Sequence, residues 1–333
     1  MLNSKLKHYQ YYGIFAEILY KYVAEKRGFG VAFNGEAKHL AGFDKFTVTL
    51  NLQQQTLTKE VVEKWMQIKP NENENNHSQR IRMVRRLAIY MKNQEYESYV
   101  CPTLPQHSSK QTYIPYIYTE NEVSEFFNQA SQLPSNPQSR NMPIIMPVLF
   151  KLLYSTGMRI NEVLQLKVGD VDLIHGVIQV LQSKSKKPRY VPISNSMLAI
   201  CRGYSAKLHA ISTKEDWYFP TQRMTPYSMT RIYYIFREVL FKANIPHLGR
   251  GQGPRIHDFR HTFAVECLKK MVRQKCDVTA IMPYISMYLG HNKPLVSQYY
   301  LRLTADMYPE LTKDLDAKLG DIIPKLEVCN ENN

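Results

Sequence analysis

Residues Cys101–Pro115 (CPTLPQHSSKQTYIP) break the chain more decisively than any other stretch. Three prolines remove backbone donors and fix φ, and the polar Ser-Ser-Lys-Gln run offers no apolar face, so helical periodicity stops on both sides. A chain interrupted in this way cannot build one continuous core. Its 333 residues, 44% of them hydrophobic, are enough to fill two. The expected organisation is a domain over 1–104, a linker at 105–115, a second domain over 116–304 and a tail at 305–333.

Apolar spacing predicts helices at Tyr11–Lys26, Lys38–Leu52, Thr58–Gln67 and Gln79–Lys92, with Asn71–His77 (NENENNH) as a loop. After the break, Thr119–Gln132 and Met142–Tyr154 are expected to be helical. The second is almost wholly apolar and therefore buried, with Gly157 placed as its C-cap. Asp172–Leu181 and Arg189–Ile193 are β-rich runs flanking the basic turn Ser183–Pro188 (SKSKKP), which predicts a hairpin with lysines at its tip. Helices resume at Asn195–Leu208, Ser228–Ala243, His257–Met271, Val278–Met287 and Pro294–Leu303. The fold class is mainly α with a small antiparallel β-sheet.

A formal net charge of +14 points to a polyanionic partner. Lys and Arg outnumber Asp and Glu 15 to 10 in residues 1–108 and 25 to 12 in 109–304, whereas residues 305–333 carry 3 against 7. The excess therefore lies in the second domain and the tail is acidic. In the first domain QRIRMVRRLAIYMK sets Arg80, Arg82, Arg85 and Arg86 on one helix. Its basic face could meet phosphates or simply be solvated. The five cysteines include no CxxC pair, so neither a disulfide framework nor a zinc site is expected, and a reducing cytosol suits them. The N-terminus has no apolar signal region and no run is long enough to span a membrane, so a cytoplasmic, nucleoid-associated location is expected.

Two arginines stand where a phosphate could be gripped. Arg159, in STGMRINEVLQL, lies where Gly157 ends one helix and Asn161–Leu166 starts another. Arg260, in RIHDFRHTFAVECL, follows His257 by three residues, so a helix puts both on one face. Guanidinium forks grip phosphate oxygens in a geometry that lysine cannot reproduce. His257 and His261 are also spaced for two metal ligands, but Asp258 stands where a zincin would have Glu and no third ligand is evident, so no metal is expected.

The segments TGMRINEVLQL, HDFRHTFA and LGHNKPLVSQYY, in that order, resemble the catalytic motifs of the tyrosine recombinase (phage integrase) family from about Thr119 to Leu303. The family pattern of Arg, Lys, His-x-x-Arg, His or Trp, then Tyr corresponds to Arg159, Lys184, His257 with Arg260, His291 and Tyr300. The resemblance implies an N-terminal helical core-binding (SAM-like) domain and a C-terminal catalytic domain of the DNA breaking-rejoining fold, closing as a C-shaped clamp on duplex DNA. It implies that Tyr300 attacks a DNA phosphate that Arg159, Arg260 and His291 hold, that His257 assists, and that Lys184 protonates the departing 5′ oxygen. Glu162 and Asp258 would orient the guanidiniums beside them. Lys186 and Lys187, at the same hairpin tip, are candidate DNA contacts, and Tyr299 is the alternative nucleophile if the register slips by one.

The expected activity is metal-independent and cofactor-free strand transfer by a site-specific recombinase, with a mobile-element integrase preferred. The partners would be double-stranded DNA with inverted-repeat core sites, a homotetramer on that DNA and, in some reactions, an accessory DNA-bending or directionality protein. The helix expected at Pro309–Leu319 in the acidic tail could dock on a neighbouring protomer or on its own. A chromosome-dimer-resolving recombinase, a type IB topoisomerase or telomere resolvase, and a non-catalytic DNA-binding regulator are the alternatives.

Overall fold

The chain divides into two units, Met1–Thr112 and Tyr113–Asn333, each with its own core. The computed structural model describes residues 6–103, 115–135, 137–181, 188–247, 253–290 and 300. Among these, no helix is long and apolar enough to cross a membrane.

In the first unit, α1 (Ala16–Gly28), α2 (Asn34–Thr49), α3 (Lys59–Met66) and α4 (Glu74–Asn93) enclose Phe15, Tyr22, Leu40, Phe43, Trp65 and Leu87. Asp44, buried on α2, accepts the backbone N–H groups of Tyr12 and Gly13 at 2.7 and 2.9 Å, which satisfies the chain entering α1. Helix α4 begins at Glu74, earlier than periodicity predicts, because Asn73 caps it: its side chain accepts the Asn76 N–H at 2.8 Å. The stretch read as a loop is therefore helical from Glu74 onward, and its polar residues form a solvated first turn.

Arg80 is a second departure from expectation. The residue is 4% exposed, and its guanidinium bonds to Glu72 at 2.7 and 2.8 Å, donates to the carbonyls of Trp65 and Gln67, and lies over the Trp65 ring. Expected among the phosphate-facing arginines, it is instead a core residue that joins α4 to the α3–α4 connection. Arg85 is half-buried and donates to the Cys101 carbonyl at 3.0 Å, while Arg82 and Arg86 are exposed.

The second unit is organised around α6 (Met142–Thr156), which packs on α5 (Glu120–Ser131), α8 (Asn195–Leu208) and α10 (Asp258–Arg273). Thr119 and Glu122 form a capping box that starts α5. Phe126, Phe150, Phe236 and Phe259 meet at the centre, with Phe126 5.1–5.5 Å from each of the other three rings; Phe236 comes from α9 (Met229–Lys242). Gly157 ends α6 at φ +59°, and its N–H reaches the Leu153 carbonyl at 3.0 Å. The short helix α7 (Ile160–Leu164) follows at once.

The sheet is three-stranded and antiparallel in the order β1 (Val171–Asp172), β2 (Val177–Val180), β3 (Arg189–Pro192). The run Asp172–Leu181, read as one strand, is folded back on itself at Gly176, whose φ of +69° suits glycine. Ile178 pairs with Val191 and Val180 with Arg189. That register turns Ile178, Val180 and Val191 inward, and by the two-residue period Arg189 shares their face. A second apolar cluster joins α10 to α11 (Val278–Leu289) through Ala264, Leu268, Ile285 and Leu289, and it also takes in Tyr300.

Candidate active site

Arg159 is the N-cap residue of α7, the position from which its side chain can turn back along the helix. Glu162, one turn on and only 4% exposed, accepts the Arg159 backbone N–H at 3.0 Å and the Arg159 Nη1 at 3.0 Å. Arg159 Nη2 donates to the Gly290 carbonyl at 3.1 Å, and a quarter of the side chain remains exposed. Glu162 is also forked by Arg189, at 3.0 Å to Oε1 and 2.7 Å to Oε2. Burial by itself would raise the Glu162 carboxyl, but Arg189 and then Arg159 outweigh it and hold the carboxyl below its ordinary value.

Arg260 is 2% exposed and donates Nη1 to the Gly157 carbonyl at 2.9 Å and Nη2 to the Leu289 carbonyl at 2.7 Å. Helix ends α6 and α11 thus converge on one guanidinium. Burial and the nearby charge of Arg159 lower it to about 10, so it stays protonated at neutral pH. Tyr300, 1% exposed, hydrogen-bonds with Arg260 and packs its ring 5.5 Å from that of His261. Burial raises the Tyr300 phenol, while Arg260 and Arg159 pull the other way without reversing the shift. The ground state is a neutral phenol beside two cations.

His257 precedes α10 and stays solvent-exposed, with its ring 5.0 Å from His261 in an edge-on contact. Crowding by the surrounding protein, then the charges of Arg260 and Arg159, push its imidazole down to about 4. Water at the exposed edge moderates the crowding, but two adjacent guanidiniums set the direction, and the ring is neutral at pH 7. Asp258 is fully buried, and its Oδ2 accepts the Arg255 N–H at 2.7 Å, which fixes the entry to α10. Among the described residues, Arg159 and Arg189 share the buried carboxylate of Glu162, while the guanidinium of Arg260 is held by two backbone carbonyls, so Arg159 and Arg260 bring two cations to the buried Tyr300. Such a site attracts an anion.

Arg159, the turn that carries His257 and Arg260, and Tyr300, far apart in sequence, are thus neighbours. Lys184, Lys186, Lys187, His291 and Tyr299 lie outside the described residues, as does the expected tail helix. Arg189 is the residue that sequence reasoning passed over. Its signal was alternation: it stands two positions before the fully buried Val191, so an arginine was being turned into the protein and needed an anion there.

A family model described as the phage integrase family matches residues 117–307, more than half of the chain. This chain belongs to the phage integrase family. As a member of that tyrosine recombinase family it is a site-specific recombinase enzyme. It is 25% identical over 314 residues to y4rB of Sinorhizobium fredii, a protein named as an integrase/recombinase, a match covering 92% of this chain and 98% of the relative. It is 30% identical over 200 residues to a tyrosine recombinase of Agathobacter rectalis, covering 60% of each. Among solved structures it resembles the XerH site-specific recombinase in a pre-cleavage complex with its difH substrate. The TM-score is 0.63 at 18% identity, over 92% of this chain and 91% of that one. The family's fold, mainly helical with a small antiparallel sheet, is the one observed.

Proposed function

We propose that this integrase cuts and rejoins duplex DNA through a covalent 3′-phosphotyrosyl intermediate on Tyr300, in the integration or excision of a mobile element. The observation that carries the reading is the pair of guanidiniums, Arg159 and Arg260, that act on the buried Tyr300 hydroxyl. A phosphodiester brings one negative charge and two non-bridging oxygens, which Arg159 and Arg260 can engage with charge-assisted hydrogen bonds.

The chemistry follows from the protonation states. An ordinary tyrosine, with a pKa of about 10, is a weak nucleophile at neutral pH, and burial makes Tyr300 weaker still. Attack therefore needs a base as the P–O bond forms, and neutral His257 can take that proton. The Tyr300 oxygen bonds to phosphorus, the bond from phosphorus to the 5′ oxygen breaks, and Lys184 supplies the proton to the departing oxygen. His291 adds a donor to the phosphate. No bond energy is lost to hydrolysis, so the reverse attack by a 5′ hydroxyl reseals the strand without nucleotide or metal.

On this reading the substrate is double-stranded DNA with inverted-repeat core sites. It is bound by a homotetramer acting in the cytoplasm on the nucleoid, with accessory proteins setting direction where they occur. Exposed Arg82 and Arg86 on α4 support phosphate contacts from the first unit. A nicked suicide substrate, whose cleaved end diffuses away, tests the proposal. The wild type should accumulate a covalent protein–DNA adduct, Tyr300→Phe should form none, and Tyr299→Phe should still form it. An adduct with Tyr300→Phe, or none with the wild type, overturns the assignment. Relaxation of supercoils without strand exchange would favour a topoisomerase instead.

A further inference from the structure

We propose that Arg189 is a positioning residue for the phosphate-binding face of Arg159, acting through Glu162. The inference rests on the function proposed above and extends it to a residue outside the catalytic motifs. Its basis is a count of donors at one buried carboxylate. Glu162 Oε1 accepts Arg159 Nη1 and Arg189 Nη1, each at 3.0 Å. Oε2 accepts the Arg159 backbone N–H at 3.0 Å and Arg189 Nη2 at 2.7 Å. Two oxygens offer about four lone-pair sites, and all four are taken.

The consequence falls on Arg159. A lone arginine beside a buried carboxylate forms the two-pronged fork, because that geometry pairs the charges best. Here Arg189 already occupies the fork, so Arg159 gives Glu162 a single guanidinium nitrogen and rests its other terminal nitrogen on the Gly290 carbonyl. Its remaining donors stay available, and a quarter of the side chain is exposed to receive a ligand. Without Arg189, Glu162 would either capture Arg159 completely or take up a proton. Either change misplaces the phosphate clamp.

Arg189 is itself held in place from a third direction. Its Nε donates to the Tyr288 carbonyl at 2.9 Å, and the side chain is 10% exposed. Gly290 stands against the guanidinium, with φ at +68°. A Cβ there would lie 3.1–3.3 Å from Arg189 Nη1, Cζ and Nε, so the guanidinium fills the space a side chain would need. One arginine on β3 thereby joins the sheet, the helix that carries Glu162 and the end of α11.

Single-turnover cleavage of the suicide substrate, measured on preformed protein–DNA complexes, tests this. Arg189→Met should slow cleavage by about 10²-fold, the order expected for a catalytic group misplaced by an ångström, with DNA affinity unchanged. Its acid limb in the pH–rate profile should move to higher pH, since Glu162 loses its chief cationic partner. Arg189→Lys, which keeps the charge but not the fork, should fall between the two and carries the test if the methionine variant does not fold. In a Glu162→Gln background Arg189→Met should add little, because both act along one path. Fully additive losses, an unmoved acid limb, or cleavage at the wild-type rate would overturn the inference. If the wild type itself forms no adduct, the failure belongs to the proposed function.

Discussion

At the scale of single residues, glycine geometry decides more here than bulk. Gly157 has φ +59°, and a Cβ on it would meet Phe263 Cδ1 at 2.7 Å and Leu289 Cδ2 at 3.0 Å, while its carbonyl receives Arg260. The left-handed conformation costs an L-residue about 1–2 kcal/mol before any clash is counted. Gly157→Ala should therefore lower stability by at least that order in denaturant unfolding, and slow cleavage as the carbonyl under Arg260 shifts. His257 gives a prediction with a defined sign. Its folded value, about 4, lies below the ordinary value of 6.5, so the fold favours the neutral ring. Acid favours the unfolded chain, and this contribution to stability should fall as the pH drops from about 6.5 to 4. His257→Gln should flatten that part of a stability–pH curve.

At the scale of elements, α4 turns one of its arginines into the protein and leaves two exposed. Arg80 and Glu72 form a pair whose side chains are 5% and 10% exposed, and the hydrogen bond from Arg80 holds the Glu72 carboxyl down at about 2. Removing one partner of an interior pair costs about 3–5 kcal/mol, and at the edge of a core somewhat less, so Arg80→Met should destabilise by about 2–3 kcal/mol. The pair's contribution is present above pH ~4.5 and lost as the pH falls toward 2. Arg82→Ala and Arg86→Ala should leave unfolding unchanged and each reduce the salt dependence of DNA binding by about one counterion. Periodicity could not separate these arginines. They sit on the same helix with similar neighbours, and only the placement of Glu72 and the Trp65 and Gln67 carbonyls draws one of them inward. The strand run Asp172–Leu181 was legible as β for its Val and Ile content, yet its reversal at Gly176 depends on pairing, which a one-dimensional pattern does not contain.

At the scale of the molecule, two separate cores predict two unfolding events. The first unit buries Phe15, Phe43, Trp65 and Leu87 in a cluster of its own residues, so a fragment of residues 1–103 should fold cooperatively by itself. Calorimetry of the full chain should then resolve a transition matching the fragment's; a single transition, with an unfolded fragment, would refute independent folding. Sequence alone determined the helical periodicities, the break at Cys101–Pro115, the concentration of positive charge after it and the order of the motif residues, because these are properties of spacing and composition. It did not determine which cations find a carboxylate. Arg80 is engaged by Glu72, Arg189 by Glu162, and Arg260 by backbone carbonyls at two helix ends. Those pairings join residues far apart along the chain, and a buried charge is satisfied by what packing brings within about 3 Å of it. Only the tertiary structure decides that.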